Sequence, residues 1–583
     1  MSDSHDKNDA SGDSPLLVEV PSSADMETRE SVYFDSKQVD VDEDALDEEE
    51  EEAHRLRMDG TTDFLGEPQR RSSSRQRKVG PVRKLSQRLS QQLLRRRSSI
   101  RESLPETPAG WTILLSAVLT SGLGYELRLQ KSLTQPPYTF GQLQAGSLMA
   151  DIYQKLTASP DCILSRPIQP SLFVGTRGMV SSAAAYLLGG PSSSQEHLRF
   201  REIVQSTIDG ASFGVDWEVP WKTDDRRTSS LTYQERRNEI LKGPIQEPVV
   251  IILHGINNDA NFGYMRSLQR AFADRGWNAA AVNFRGCGGV PMTTPRAYNA
   301  SYTGDVRCLV WILSGRLAKD VPVFLVGNSM GASVMSKYLG EEGMSGTLPK
   351  CVSGAASLGS PLMMNSTLMR FPFNVILALG VKKTFFQNWS TMTKMREPMY
   401  QAAFGKAMLS STLAKLDDAV APVLARNDPF YPFAFRIGFK DGLAYSLDSS
   451  SFRLLRFISV PFLNLNAEDD FLIAASTRSK LGFCVSNPNI MVAQTRCGGH
   501  LGWQESPIES AFGRATSWAD AAVADFFDAL MKTNQERSGS PVSPHTSQGG
   551  TLDELEVTST TAARDALRSK AENFTATKLK SRL

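Results

Sequence analysis

The chain has 583 residues, and its 64 lysines and arginines balance 63 aspartates and glutamates, which leaves a formal net charge of +1. These totals predict no nucleic-acid partner. The six cysteines are scattered without a CxxC pair, which argues against a zinc site or a disulfide framework and favours a reducing compartment. The first residues contain no apolar run typical of a secretory signal, so a cytoplasmic or membrane-associated intracellular protein is expected.

Residues 1–105 are predicted to form a disordered tail. An acidic run from Asp42 to Glu52 is followed by a basic, serine-rich stretch from Arg70 to Arg101. Within the basic stretch, apolar residues three or four positions apart form a short amphipathic helix pattern: Val82, Leu85, Leu89 and Leu93. Such a helix would contact an anionic membrane surface, but a solvated tail with phosphorylation sites is the favoured interpretation.

An uncharged stretch follows at residues 107–125, TPAGWTILLSAVLTSGLGY. Its length approaches that of a membrane span, and arginines precede it, as the positive-inside rule requires. Pro108, three glycines and several hydroxyls dilute its apolar character. A buried helix is therefore the favoured interpretation and a membrane anchor the alternative, within a region, 106–200, that is expected to pack on the core.

The remaining elements predict an α/β fold. RFREIVQSTIDGASFGVDW predicts a hairpin with Asp209-Gly210 as its turn. From Glu247 onward, buried-strand patterns alternate with helical patterns such as those at 264–275, 305–317 and 332–339; the strands are expected at 248–254, 278–284, 321–326, 353–358 and 460–467. Continuous apolar strands that alternate with helices predict a mostly parallel sheet with helices on both faces. Residues from about 534 are expected to be disordered, apart from one helix near 562–580.

The strongest motif is VPVFLVGNSMGASVMSKYL, in which Gly327, Ser329 and Gly331 form a G-x-S-x-G sequence between a buried strand and a helix. Flanking glycines allow the strand and the helix to approach closely around a strained turn. The helix N-terminus offers a free N–H, that of Met330, to a developing oxyanion. The pattern predicts that Ser329 is a nucleophile.

A serine hydroxyl needs a base, and the chain has only six histidines. Only His500 follows the motif inside the predicted fold, in RCGGHLGW after the apolar stretch NIMVAQT. Its neighbouring glycines would let a loop bring the imidazole over the serine. The other histidines lie in the predicted tails, before the α/β core or at the end of its first strand: His5, His54, His545, His197 and His254.

The acid that orients the imidazole is expected after the strand in VPFLNLNAEDDF. Asp470 is the favoured residue, with Asp469 and Glu468 as open alternatives, because local spacing does not distinguish them. The second oxyanion donor is expected in LHGINNDANFGYM, where the N–H of Ile256 is the candidate.

These residues lie in segments that resemble the AB hydrolase 4 family of α/β-hydrolases, which includes plant embryogenesis-associated proteins and animal membrane-associated lipases. The segments occur in the family's order: HGINNDANFGYM, NFRGCGGVPMTTPRAYNASYTGDVR, GNSMGASVMSKYLGEEG, VPFLNLNAEDDF and CGGHLGW. One departure is Phe471, which stands where the family usually has the proline of an Asp-Asp-Pro sequence.

The resemblance implies the α/β-hydrolase fold, a triad of Ser329, Asp470 and His500, and activity on lipid esters such as monoacylglycerols or phospholipids. It implies no cofactor or metal. The hydrolase domain is predicted at 201–533, with a helical lid insertion at about 361–455 and a C-terminal tail at 534–583. Aromatic and methionine side chains of the lid are expected to line an apolar pocket: Met363, Met364, Met369, Phe371, Phe373, Phe385, Phe386, Trp389, Phe430, Tyr431, Phe433 and Phe435.

Two other functions remain compatible with these residues. An acyltransferase would use the same triad and pass the acyl group to an alcohol instead of to water. A scaffold of the same fold would have no activity, although serine, acid and histidine all occur in the order that the fold requires.

Overall fold

A computed structural model describes residues 108–187, 191, 195–206, 208–222, 226–394, 398–424, 438–505 and 517–539. The fold belongs to a compact unit, Met1–Met531; of the second unit, Lys532–Leu583, the structure describes the end of one helix and the two residues after it. The predictions for residues 1–105, including the basic amphipathic pattern, and for residues from 540 onward lie outside the described residues.

The described residues contain a nine-stranded, mostly parallel sheet with the strand order β1-β9-β8-β7-β6-β4-β5-β3-β2. Strands β4 to β9 pair in parallel, while β1 pairs with β9, β2 with β3 and β3 with β5 in antiparallel fashion. The strands are β1 Tyr138–Gly141, β2 His197–Gln205, β3 Ser212–Pro220, β4 Val249–Leu253, β5 Asn278–Asn283, β6 Val323–Asn328, β7 Val352–Leu358, β8 Phe462–Ala467 and β9 Ile490–Thr495.

Helices cover the sheet, so the predicted fold class is confirmed. The α-helices of the described residues are α1 Pro108–Leu133, α2 Leu148–Thr157, α3 Gly178–Leu187, α4 Arg226–Ser229, α5 Tyr233–Lys242, α6 Gly263–Ala273, α7 Gly304–Ser314, α8 Met330–Ser345, α9 Phe373–Gln387, α10 Trp389–Met392, α11 Pro398–Leu409, α12 Leu413–Val420, α13 Gly442–Ser449, α14 Ala474–Arg478, α15 Leu481–Val485 and α16 Trp518–Arg537. Short 3₁₀ helices lie at Ser366–Leu368, Ala421–Val423 and Leu455–Phe457.

The central strands are buried on both faces, which explains their continuous apolar sequences. In β4, Val249 and Ile251 belong to the hydrophobic core on one face of the sheet, whereas Val250 and Ile252 belong to the core on the other face. Alternating side chains of one strand therefore support two cores, as in parallel sheets covered by helices. The predicted hairpin is also confirmed, since β2 and β3 pair along their whole length around Asp209-Gly210.

The uncharged stretch at 107–125 does form a helix, α1, but the expectation that this helix is buried is wrong. Val118 and Leu119 are 59% and 71% exposed. Among the described side chains of α1, the first buried one is Glu126, which pairs with Arg177, and further along the amide of Gln130 donates to the Pro170 carbonyl oxygen. None of the described helices is both long and apolar enough to span a membrane.

A buried cluster around Arg285 joins the loop after β5 to the hairpin turn and to helix α7. The guanidinium contacts Asp209 and Asp305 at 2.6 Å each, and it lies over the ring of Tyr302. Burial alone would lower the pKa of Arg285, but the attraction of the two carboxylates is larger than this effect and raises the pKa. The cluster therefore fixes the RGCGG segment next to the carboxyl ends of the strands.

Arg285→Met is expected to lower the free energy of unfolding by about 3–5 kcal/mol, because it leaves buried carboxylates without their partner. Urea denaturation followed by circular dichroism measures this change. Arg275→Met is the matched control, since Arg275 also contacts two carboxylates, Asp525 and Asp528, but at the surface. Its expected loss is below about 1 kcal/mol; equal losses in the two variants would contradict the assignment of the Arg285 cluster.

Candidate active site

Ser329 lies at the sharp turn between strand β6 and helix α8. Its backbone angles, φ 53° and ψ −122°, are rare for a residue with a side chain. A Cβ atom at Gly327 would lie 2.4 Å from Ala332 Cα, and one at Gly331 would lie 2.5 Å from the carbonyl oxygen of His254. Only glycines therefore fit beside this turn, as the motif predicts.

His500 lies in a loop after β9 that is held at two points. Its backbone N–H donates to Ser182 Oγ at 2.7 Å, and the N–H of Gly499 donates to Asp469 Oδ1 at 2.7 Å. Gly499 and Leu501 on either side have positive φ angles, 59° and 67°. The loop is thus tightly turned and anchored, which fixes the position of the imidazole.

The structure brings Ser329, His500 and Asp470 together in one hydrogen-bonded row. His500 Nε2 lies 2.8 Å from Ser329 Oγ, and His500 Nδ1 lies 2.8 Å from Asp470 Oδ2. All three side chains are buried. Because a carboxylate only accepts, the proton of a neutral imidazole belongs on Nδ1, and Nε2 is left to accept from the serine hydroxyl.

Of the three candidate acids, Asp470 is the one that contacts the imidazole. Its other oxygen, Oδ1, accepts from the N–H groups of Leu472 and Ile473 at 2.9 and 3.1 Å, so that the carboxylate is held in place. Asp469 instead binds the backbone of the histidine loop, and burial raises its pKa to about 6. Glu468 is exposed.

The loop after β4 packs directly against the serine. A Cβ atom at Gly255 would lie 3.1 Å from Ser329 Cβ and 3.5 Å from its Oγ. His254 is buried, with Nδ1 2.7 Å from the Gly255 carbonyl oxygen and Nε2 3.3 Å from the N–H of Phe284. Burial lowers the pKa of His254 to about 4, so a neutral ring donates from Nδ1 and accepts at Nε2.

A cavity of about 180 Å³ opens above Ser329, and both oxyanion candidates, Met330 and Ile256, line it together with the serine. An apolar cavity of about 150 Å³ holds a benzene molecule, so an organic ester has room here. The lid segment, residues 361–455, supplies most of the remaining wall. Its described helices α9 to α13 lie between β7 and β8, where the insertion was expected.

The structure describes eight of the predicted pocket side chains. Four of them line the cavity: Met363, Met364, Met369 and Phe385. Three are exposed instead: Phe371, Phe386 and Trp389 are 81%, 69% and 46% exposed. Phe373 contacts Phe471 with ring centroids 4.7 Å apart, while Phe430, Tyr431, Phe433 and Phe435 lie outside the described residues.

Several contributions to the site have no signal in the sequence. Ser182 comes from helix α3, in the region that the sequence left without assigned elements, yet it holds the His500 loop. Asn257 donates from its side chain to the Leu377 carbonyl oxygen of α9, which ties the oxyanion loop to the lid segment. Phe471, the departure from the family's acid loop, makes a second tie through its contact with Phe373.

The other described histidine lies away from this row. His197 is in strand β2, where Nε2 lies 3.4 Å from Asp274, and burial lowers its pKa. Within the described parts of the chain, no group of three His, Cys, Asp or Glu side chains is placed to hold a metal ion.

Comparison with known proteins finds a matching hydrolase family and several relatives. Residues 245–490 match the hydrolase family described as serine aminopeptidase, S33. The embryogenesis-associated protein EMB8 of Picea glauca is 26% identical over 472 residues, which cover 78% of this chain and 88% of that protein. The monoacylglycerol lipase of Saccharomyces cerevisiae is 28% identical over 52% of this chain and 70% of its own length.

A third relative is the phospholipase ABHD3 of Mus musculus, which is 23% identical over 59% of this chain and 75% of its own length. The order of the strands, the family match and these relatives agree with the resemblance seen in the sequence. These findings fit the AB hydrolase 4 family of α/β-hydrolases, to which this chain is similar.

Proposed function

We propose that this protein is a serine hydrolase that cleaves carboxylic esters of lipids through an acyl-enzyme on Ser329. The observation that carries the proposal is the row of 2.8 Å contacts from Ser329 Oγ through His500 to Asp470, at the wall of a largely apolar cavity. A buried serine that hydrogen-bonds a histidine oriented by a carboxylate is the arrangement that acyl transfer requires.

In the proposed reaction, His500 Nε2 takes the proton of Ser329 as its oxygen attacks the ester carbonyl carbon. Asp470 stabilises the imidazolium that forms. The tetrahedral intermediate collapses, the alcohol leaves with the proton from His500, and the acyl group stays on Ser329. A water molecule then gives its proton to His500, attacks the acyl carbon and releases the acid.

The oxyanion is proposed to be held by the N–H groups of Met330 and Ile256. Met330 is the first residue of α8, where N–H groups have no partner within the helix. Ile256 follows Gly255, whose carbonyl oxygen is bound to His254 Nδ1. Because the C=O and N–H of a trans peptide point in opposite directions, His254 acts as a positioning residue that turns the Ile256 N–H away from itself.

The proposed substrate class rests on the cavity and on the relatives. Most side chains that the lid segment contributes are apolar, for example Leu377, Val381 and Leu416. Two relatives are named for hydrolysis of lipid esters, a monoacylglycerol lipase and a phospholipase. An apolar cavity beside the serine accommodates an acyl chain better than a polar substrate.

The test is labelling of the purified chain with a fluorophosphonate probe, which reacts with an activated serine. Wild type is expected to be labelled, and Ser329→Ala and His500→Ala are both expected to lose the label, because one removes the nucleophile and the other its base. Ser333→Ala is the matched control, since Ser333 lies on the same helix but its hydroxyl binds the Pro361 carbonyl oxygen.

An unlabelled but folded wild type would contradict the proposal and favour a scaffold. Once labelling is established, incubation with a monoacylglycerol and an added alcohol separates the two enzymatic functions. Free fatty acid as the main product indicates a hydrolase, whereas a new ester of the added alcohol indicates an acyltransferase.

A further inference from the structure

One polar pair interrupts the apolar wall that the lid segment gives to the cavity. Asp417, on helix α12, and Ser366, in the 3₁₀ helix Ser366–Leu368, both line the cavity that Ser329 also lines. The hydroxyl of Ser366 and the carboxyl of Asp417 are hydrogen-bonded to each other. Leu413 and Leu416, on the same helix as Asp417, line the cavity with apolar side chains.

The Asp417 carboxyl stands in an environment that does not suit a charge. Burial raises its pKa to about 7, although the bond to Ser366 opposes this. Among the described residues, no lysine, arginine or histidine forms a salt bridge with it. The two arginines that line the same cavity have other partners: Arg285 and Arg296 both lie beside Asp209, at 2.6 and 3.7 Å.

A carboxyl group that lines a cavity and pairs with no described cation has hydrogen-bonding capacity that the described residues leave unused. Ser366 satisfies only part of it, since a carboxylate offers about four lone-pair sites. Leaving the rest of this capacity dry beneath an apolar substrate is unfavourable, because a buried polar group without a hydrogen-bond partner is destabilising. A substrate group that donates to the carboxylate would remove this cost.

We propose that Asp417 and Ser366 form a subsite that binds a hydroxyl group of the ester substrate. A substrate hydroxyl donates to a lone pair of the carboxylate that Ser366 leaves free, while Ser366 keeps its own bond to Asp417. A cationic group fits less well, because Arg285 and Arg296 line the same cavity. This inference rests on the proposed ester hydrolysis at Ser329 and names a specificity-determining residue for it.

The hydroxyl can belong to either side of the scissile bond. On the alcohol side, it would be a free hydroxyl of a glycerol ester; on the acyl side, it would be a hydroxyl on the fatty chain. The chemistry at Asp417 is the same in both cases, so the two sources are separated by substrate pairs that differ only in the hydroxyl.

The experiment measures kcat/KM of the full chain on two such pairs. The first pair is glycerol monodecanoate and propyl decanoate; the second is methyl ω-hydroxydecanoate and methyl decanoate. Wild type is expected to prefer the hydroxylated member of one pair by about tenfold or more, because a hydrogen bond to a charged group is worth more than one between neutral groups. The pair that shows the preference identifies the side of the ester that carries the hydroxyl.

Three variants test whether Asp417 causes the preference. Asp417→Leu is expected to abolish it, so that kcat/KM on the two members of the pair differs by less than about twofold, because leucine cannot accept a hydrogen bond. Asp417→Asn keeps an acceptor and is expected to retain a preference of only a few-fold. Asp418→Asn is the matched control, because the neighbouring Asp418 carboxylate accepts from the Gly442 N–H, and it should keep the full preference.

Absence of any preference in wild type would overturn the inference, as would a preference that persists unchanged in Asp417→Leu. If Asp417→Leu does not fold, Asp417→Asn tests the inference in its place. A preference as large as that of wild type in Asp417→Asn would also overturn the inference. Fluorophosphonate labelling of each protein keeps the two proposals apart. An unlabelled wild type refutes the serine mechanism, whereas labelled proteins without a hydroxyl preference refute only the subsite.

Discussion

Ser329→Ala, His500→Ala and the double variant are all expected to lower kcat on a soluble short-chain ester by nearly the same factor, about 10⁴- to 10⁶-fold. The serine oxygen and the imidazole nitrogen lie 2.8 Å apart and act in one step. Either loss therefore removes the whole acyl-enzyme route, and the second loss adds little. Steady-state hydrolysis of the four proteins in parallel measures the three factors.

Ser336→Ala is the control for these kinetics. Ser336 lies in the same helix, α8, is buried, and its hydroxyl has no hydrogen-bond partner among the described residues. Its kcat is expected to remain within about threefold of wild type, as for a buried hydroxyl that makes no bond. Factors for Ser329→Ala and His500→Ala that multiply in the double variant would show that the two residues act independently, contrary to the proposal.

Much of this site follows from the sequence because local patterns dictate it. Gly327, Ser329 and Gly331 predict the turn, since only glycines avoid contact with Ala332 and the His254 carbonyl oxygen there. Strands β4 to β8 were predicted to within a few residues of their observed ends because burial on both faces leaves a continuous apolar run, whereas the short edge strand β1 was not predicted.

Asp470 was the favoured acid, but local spacing could not exclude Asp469, because the two residues follow the same strand and differ by one position. The distinction depends on the loop beyond β8, where Leu472 and Ile473 donate to one residue and Gly499 donates to the other. These bonds form only after the loops on the two strands meet. Sequence spacing alone does not encode which carboxylate is turned towards the imidazole.

The hydrogen bond between helix α3 and the histidine loop could not be predicted from local sequence patterns either. Ser182 and His500 are 318 positions apart, and a serine in GMVSSAAAYL has no feature that marks it as a partner of a histidine loop.

The prediction that α1 is buried was wrong, because an uncharged run indicates only that a segment has few polar side chains. It does not indicate whether other parts of the fold pack against that segment. The contacts described between α1 and the rest of the fold include those of Glu126 and Gln130, in its second half.

Asp470→Asn is expected to lower kcat by about 10⁴-fold, whereas Asp469→Asn is expected to lower it by less than about tenfold. An amide at position 470 donates to His500 Nδ1, which moves the imidazole proton to Nε2, where it blocks acceptance from Ser329. An amide at position 469 still offers an oxygen to the Gly499 N–H, so the histidine loop keeps its anchor. Steady-state kinetics of the two variants, on the same ester and at one pH, measures both factors.

The two substitutions are matched in size, in charge and in position along the chain, which makes the comparison sharp. The amide oxygen at 470 can still accept from Leu472 and Ile473, so a similar thermal unfolding midpoint is expected for both proteins. Equal losses of kcat would mean that the negative charge near the loop matters more than its contact with Nδ1. The reverse order would assign the acid to Asp469, and the role proposed here for the 2.8 Å contact of Asp470 would then be wrong.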